Sequence, residues 1–239
     1  MLKAKKSLSQ NFLVDKNISK KITSLTNIKN KHIVEIGPGY GFLTDMILKK
    51  KPKLIYIIEK DEELYKYLKL KYKNIKNIII VNDDIFNFDF KKLKQIIIIS
   101  NLPYNISTKI ILHLFKYNKN IIEMIVMLQR EVAEKFDYKI PGMNKYKFLT
   151  NVVSSFSKCF DVSADVFKPK PKVKSTVVKF KFNKEGFDIN KAYKFSNLIF
   201  KNVRKKISKN INFKNKDKLL GKRVNQLNIN DLTNIYNLF

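Results

Sequence analysis

Val34-Glu35-Ile36-Gly37-Pro38-Gly39-Tyr40-Gly41 decides how this chain folds, because it sets a glycine-rich turn directly between an apolar strand and a long amphipathic helix. Glycine lets a backbone come close to a ligand, and open α/β sheets bind ligands at the carboxyl ends of their strands. Outward from that turn, short β-branched runs at 32–36, 54–59, 77–81, 96–100 and 121–128 alternate with helical patterns such as 42–50 and 61–72. The rhythm predicts βαβ units around a mostly parallel sheet. Three of the runs are nearly continuous Ile, Val or Leu, which suits strands covered on both faces.

After residue 128 the rhythm changes. A helix is expected near 130–136, a loop through 138–144 and a helix from about 145 to 157. Two β-like runs, 161–167 and 175–182, flank Lys168-Pro169-Lys170-Pro171-Lys172, a basic loop stiffened by its prolines. From about Asn183 the strand signal gives way to Lys/Asn-rich helical patterns, with Asn183-Lys184-Glu185-Gly186 as the natural boundary. The reading is one α/β domain over residues 1–183 and a small all-helical C-terminal domain over 184–239.

The 44% of hydrophobic residues supplies a real core and excludes global disorder. A net charge of +29 invites a polyanionic partner, since lysines that neutralise phosphates release condensed counterions. However, 46 of the 49 basic residues are lysine, only Arg130, Arg204 and Arg223 being arginine, and Asn and Ile are also abundant. An AT-rich coding sequence produces that bias whatever the function, so motifs must settle the partner. Cys159, the one cysteine, lies in apolar Phe156-Ser157-Lys158-Cys159-Phe160 and reads as a buried thiol in a reduced, cytoplasmic protein. His32 and His113 are too few for a zinc site, so no metal is expected. Apolar runs such as 96–99 are too short to span a bilayer, and Met1 to Gln10 lacks the apolar stretch of a signal peptide. Neither a membrane nor a stable oligomer is called for, and a monomer is expected.

Gly37-Pro38-Gly39-Tyr40-Gly41 does not have the G-x-G-x-x-G spacing of a dinucleotide site, and Glu35 inside the strand would repel phosphates. A cationic cofactor removes the difficulty. S-adenosylmethionine carries a sulfonium and an amino group where a dinucleotide carries phosphates. Glu59 ends the second strand, where a carboxylate can accept from both ribose hydroxyls, and Asp84 follows the third, where it can accept from the cofactor's adenine amine. A ligand-free tight turn and two solvated acids would use the same residue types; the order after successive strands is what favours the cofactor.

After the fourth strand comes Ser100-Asn101-Leu102-Pro103-Tyr104-Asn105-Ile106-Ser107-Thr108. An Asx-Pro turn is ordinary punctuation at a strand end. It also suits chemistry on the exocyclic N6 of adenine, whose lone pair is delocalised into the ring. The Asn101 amide oxygen and a main-chain carbonyl would accept hydrogen bonds from that amine and favour a pyramidal nitrogen, while Tyr104 stacks on the extruded base.

Several stretches together resemble the ribosomal RNA adenine N6-dimethyltransferase family, and within it the small-subunit (16S) branch associated with kasugamycin sensitivity. They are Ser9-Gln10-Asn11-Phe12-Leu13-Val14-Asp15, Glu35 to Gly39, Asn101 to Thr108, His113-Leu114-Phe115, Gln129-Arg130-Glu131-Val132-Ala133-Glu134, and Phe167-Lys168-Pro169-Lys170-Pro171-Lys172-Val173-Lys174-Ser175-Thr176-Val177-Val178. The resemblance implies a Rossmann-like, S-adenosylmethionine-dependent methyltransferase sheet, with Gln10, Asn11 and Leu13 closing over the cofactor. It implies that Gly37, Gly39, Glu59, Asp84 and Asn101 also contact the cofactor, and that Phe167 faces Tyr104 across the target adenine. The catalytic set is then Asn101, Leu102, Pro103, Tyr104 and Phe167, and no general base is required. The family reaction adds two methyls to each of two adjacent adenosines in the hairpin near the 3′ end of 16S rRNA, within the small ribosomal subunit. Phe200-Lys201-Asn202-Val203-Arg204-Lys205-Lys206-Ile207 resembles the basic helix of the family's small domain, and 223–237 its final helices. Two alternatives stay open: the erythromycin-resistance branch acting on 23S rRNA, disfavoured by Leu102 where that branch usually has Ile, and a non-catalytic assembly or transcription factor on the same fold.

Overall fold

Five runs of β-branched residues form the parallel part of the sheet, and their burial explains their composition. A computed structural model describes residues 10–182, 186–211 and 218–239. Its strands are β1 (Phe12–Leu13), β2 (His32–Ile36), β3 (Leu54–Ile58), β4 (Ile78–Val81), β5 (Ile96–Asn101), β6 (Ile121–Gln129), β7 (Ser155–Val162), β8 (Phe167–Lys168) and β9 (Ser175–Lys181). Helices α1 (Lys16–Thr23), α2 (Phe42–Lys49), α3 (Glu62–Lys71), α4 (Ser107–Phe115), α5 (Arg130–Phe136), α6 (Lys145–Val153), α7 (Ile189–Ile199) and α8 (Ile229–Leu238) connect and flank them.

Among the described residues the large sheet has seven strands in the order β4-β3-β2-β5-β6-β9-β7. Pairing is parallel from β4 to β6, and β9 runs antiparallel to β6. The inner strands β2, β5 and β6 are buried almost throughout, as strands covered on both faces must be. β2 lies between β3 and β5, so successive crossovers leave it in opposite directions. A crevice opens at such a switch point beyond the carboxyl ends of the strands, and the candidate site residues line it. Local signals set the helix starts: the carboxylates of Asp15 and Asp61 cap α1 and α3, whereas α2 begins at left-handed Gly41 with no side-chain cap.

Three expectations are corrected. The helix from Lys145 ends at Val153 rather than near residue 157, and Ser155–Val162 is strand β7, where the sequence pattern starts a strand only at residue 161. β7 is an edge strand with only two of its eight residues buried, so its polar residues imitate an amphipathic helix. Past Val162 the chain turns through a 3₁₀ helix, Ala164–Val166, started by the Ser163 side chain, before the two-residue strand β8. The basic stretch from Phe200 to Ile207 is no α-helix: α7 closes into the 3₁₀ turn Phe200–Asn202, Lys206 bridges to Arg223, and Ile207–Lys209 is a further 3₁₀ turn.

Contacts gather the chain into two units. One reaches Ala133 and takes in Lys158–Lys181; the other holds Glu134–Ser157 and the described residues from Phe182 onward. In the second unit Phe148 of α6 packs against Phe195 of α7 and Tyr236 of α8, with ring centroids 5.1 and 5.7 Å apart. The first nine residues, Ser9 among them, and the boundary residues Asn183, Lys184 and Glu185 lie outside the described residues.

Candidate active site

A cavity of about 220 Å³ opens at the ends of β2, β3 and β5, entirely within the first unit. Its wall contains Gln10, Asn11, Leu13, Glu35, Gly37, Gly39, Glu59, Asp84, Asn101, Leu102, Pro103 and Tyr104. Every residue proposed from the sequence for catalysis or cofactor binding therefore lines one cavity except Phe167, which is fully buried behind Tyr104.

The glycine turn makes the floor. Gly37 and Gly39 have φ of +62° and +58°, a region in which side chains are disfavoured. A Cβ on Gly39 would stand 2.6 Å from the Phe12 ring, so glycine there lets the N-terminal segment lie flat over the turn. Phe12 also meets Tyr40 edge to face, with centroids 4.7 Å apart.

Each of the three carboxyl groups expected to meet the cofactor has its own environment. Glu35 is 1% exposed and accepts one hydrogen bond from Thr44 Oγ1 at 2.6 Å; burial raises its pKa to about 8 against that bond. Glu59 accepts from the backbone N–H groups of Asp61 at 2.9 Å and Gly39 at 3.4 Å, and burial raises its pKa to about 7. Asp84 is more open. Its partial burial opposes ionisation, but Lys60 Nζ at 2.7 Å and the Phe86 N–H at 3.1 Å hold its pKa below the ordinary value.

The turn after β5 supplies the opposite wall. Asn101 Nδ2 donates to the Asn11 carbonyl at 3.0 Å, which fixes the amide and leaves Oδ1 buried without a hydrogen-bond partner. Among the described side chains only His113 Nε2 shares that condition. Such an atom is costly to bury, so an unfilled acceptor in a cavity wall marks where a donor fits. Ser100 Oγ donates to the Ile36 carbonyl at 2.5 Å and pins the end of β5 to β2. Tyr104 meets Phe167 edge to face, with centroids 6.4 Å apart and planes at 71°.

Sequence reasoning missed the small sheet that joins these parts. β1 and β8 pair antiparallel, with Leu13 opposite Phe167, and Val14 N–H donates to the Val166 carbonyl at 2.9 Å. The strap is further held by Gln10 Nε2, which donates to Asp61 Oδ2 at 3.0 Å. Asp61 could have been found as the N-cap before Glu62-Glu63, and Thr44 only from the structure. Among the described residues no three His, Cys, Asp or Glu side chains gather as a metal site, and no helix is long and apolar enough to cross a membrane.

Comparison with known proteins identifies the family and the fold. A sequence model of the family described as ribosomal RNA adenine dimethylase matches residues 1–238. The ribosomal RNA small subunit methyltransferase A of Malacoplasma penetrans is 39% identical over 218 residues, covering 87% of this chain and 78% of that protein. Its counterpart from Mesomycoplasma hyopneumoniae is 36% identical over 239 residues, covering 98% and 87%. Among solved structures the fold is similar to that of the 23S rRNA methyltransferase ErmE, with a TM-score of 0.78 at 20% identity over 95% of this chain and 98% of that one. A dimethyladenosine transferase from Plasmodium falciparum gives a TM-score of 0.74 at 20% identity over the same shares. At 20% identity these structures speak to the fold alone, whereas the family match spans nearly the whole sequence: this chain belongs to the ribosomal RNA adenine dimethylase family.

Proposed function

We propose that the protein dimethylates the N6 amines of two adjacent adenosines in the hairpin near the 3′ end of 16S rRNA, in the cytoplasm, as part of small-subunit assembly. The observation that carries this reading is Asn101 Oδ1: a buried, oriented, unfilled acceptor on a residue that lines one cavity with Tyr104 and the carboxyl groups. The relatives at 36–39% identity favour the small subunit over the large one.

The residues present fit S-adenosylmethionine, which when bound supplies an electrophilic methyl on a sulfonium. Four carboxyl groups in one cavity, Glu35, Glu59, Asp83 and Asp84, suit a cation and oppose a polyphosphate. Glu35 faces the cationic end, where a positive neighbour would offset the burial that keeps its proton on. Glu59 keeps lone pairs free for ribose hydroxyls beyond the backbone donors that hold it, and Asp84 at the rim accepts from an adenine amine. Gln10, Asn11 and Leu13 close the strap over the ligand and exclude water.

Asn101 Oδ1, with a main-chain carbonyl of the Asn101-Leu102-Pro103-Tyr104 turn, accepts the N–H groups of the target amine. Its nitrogen is then more pyramidal, and the lone pair is free to attack. Tyr104 stacks on the flipped base, and Phe167, buried edge to face against Tyr104, backs that ring. Transfer is a direct displacement, so the residues contribute alignment and hydrogen-bond acceptors rather than a general base, and the proton leaves to solvent.

Mass spectrometry of ribosomal RNA from a strain lacking the gene tests the assignment. Loss of dimethyladenosine from 16S rRNA alone is the expected result; loss confined to 23S rRNA would overturn the choice of subunit.

A further inference from the structure

Tyr104 reaches from the turn after β5 to the first residue of β9, where its hydroxyl lies 2.5 Å from that of Ser175. Both side chains are buried, Ser175 completely. A hydroxyl in such a place opposes folding unless it is hydrogen-bonded, and an alanine would fill the position without that cost. Each hydroxyl satisfies the other.

The bond has a geometric consequence. The phenol oxygen lies on the long axis of the ring, so anchoring it fixes where that axis points. Rotation about the axis is limited separately by the Phe167 ring, which meets Tyr104 edge to face. At the other end of the residue, Ser107 Oγ donates to the Tyr104 carbonyl at 3.1 Å and holds the main chain. Burial also pushes the Tyr104 pKa up to about 12, against the Ser175 hydrogen bond, so the phenol remains neutral at physiological pH.

We propose that Ser175 is a positioning residue for methyl transfer. It aims the axis of the Tyr104 ring so that a base stacked on the ring presents its amine to Asn101 Oδ1. The inference rests on Tyr104 being the base-stacking residue, and it gives a role to the start of β9, the far end of the proline-containing basic loop. Ser175 does not touch the reacting atoms. Its effect passes through the ring, and so appears in turnover rather than in cofactor affinity.

A double-mutant cycle tests this on the full-length protein, with labelled S-adenosylmethionine and unmethylated small subunits. Ser175→Ala and Tyr104→Phe should each lower kcat about tenfold, the effect of one lost buried hydrogen bond, with cofactor Kd by calorimetry unchanged. The double variant should be no slower than the slower single, because both substitutions delete the same interaction. Wild-type turnover in Ser175→Ala, or losses that multiply in the double variant, would overturn the inference. If Ser175→Ala does not fold, Tyr104→Phe, which removes one oxygen, decides alone, and unchanged kcat overturns it. The unmodified protein measured alongside tests the underlying reading: if it does not methylate adenosine N6, both the reading and the inference fall.

Discussion

Asn101 uses both ends of one amide, its nitrogen bound to the Asn11 carbonyl and its oxygen left for a donor. Asn101→Ala should therefore reduce turnover about 10²-fold or more, in line with removal of a transition-state hydrogen bond, and radiolabel transfer from cofactor to rRNA measures it. Glu35 gives a second test at this scale. A carboxyl whose folded pKa is raised from 4.5 to about 8 favours the folded state fully below pH 4.5, and that contribution is lost as pH rises through about 8. In the absence of cofactor the melting temperature should accordingly fall between pH 5 and about 8, with Glu59 adding to the slope through its value of about 7. Glu35→Gln should flatten the profile; an unchanged slope would show that Glu35 is ionised throughout. Both residues were legible in the sequence, because an acid inside an apolar strand and an Asn at a strand end stand out against their neighbours. Thr44 and Ser175 were not, since a hydroxyl's importance depends on a partner 9 or 71 residues away.

The glycine turn and the strap are elements that need each other. Gly39→Ala combines a left-handed backbone with a Cβ 2.6 Å from the Phe12 ring, so it should lift the strap off the turn. With left-handed strain of roughly 1–2 kcal/mol, cofactor affinity should fall about tenfold in calorimetry, and wild-type affinity would mean that the strap does not cover the ligand. The parallel strands β2 to β6 were readable because long Ile and Val runs have one explanation when buried on both faces. β1 and β8 were not, because two residues carry no period and their pairing joins positions more than 150 apart. β7 misled for a related reason: as an edge strand it buries too few residues to show alternation, and Ser157 and Lys158 blurred it into the preceding helix.

Across the whole molecule the +29 charge and the motif-built site make separate claims. If about six phosphates are contacted, rRNA affinity should drop roughly 10³-fold between 50 and 200 mM salt, and a flat response would mean that the lysine excess is mostly compositional. The helical unit was only partly legible. Its later helices follow the sequence pattern, but Glu134–Ser157 joins them from the middle of the chain, through aromatic packing of Phe148 that no local signal announces. The central claim, that this cavity transfers methyl groups to adenine N6 in small-subunit rRNA, is tested most directly by incubating the protein with labelled S-adenosylmethionine and unmethylated small subunits, then mapping the modified bases. The expected result is label on N6 of two adjacent adenosines in the hairpin near the 3′ end of 16S rRNA. Label elsewhere, or none, would contradict it.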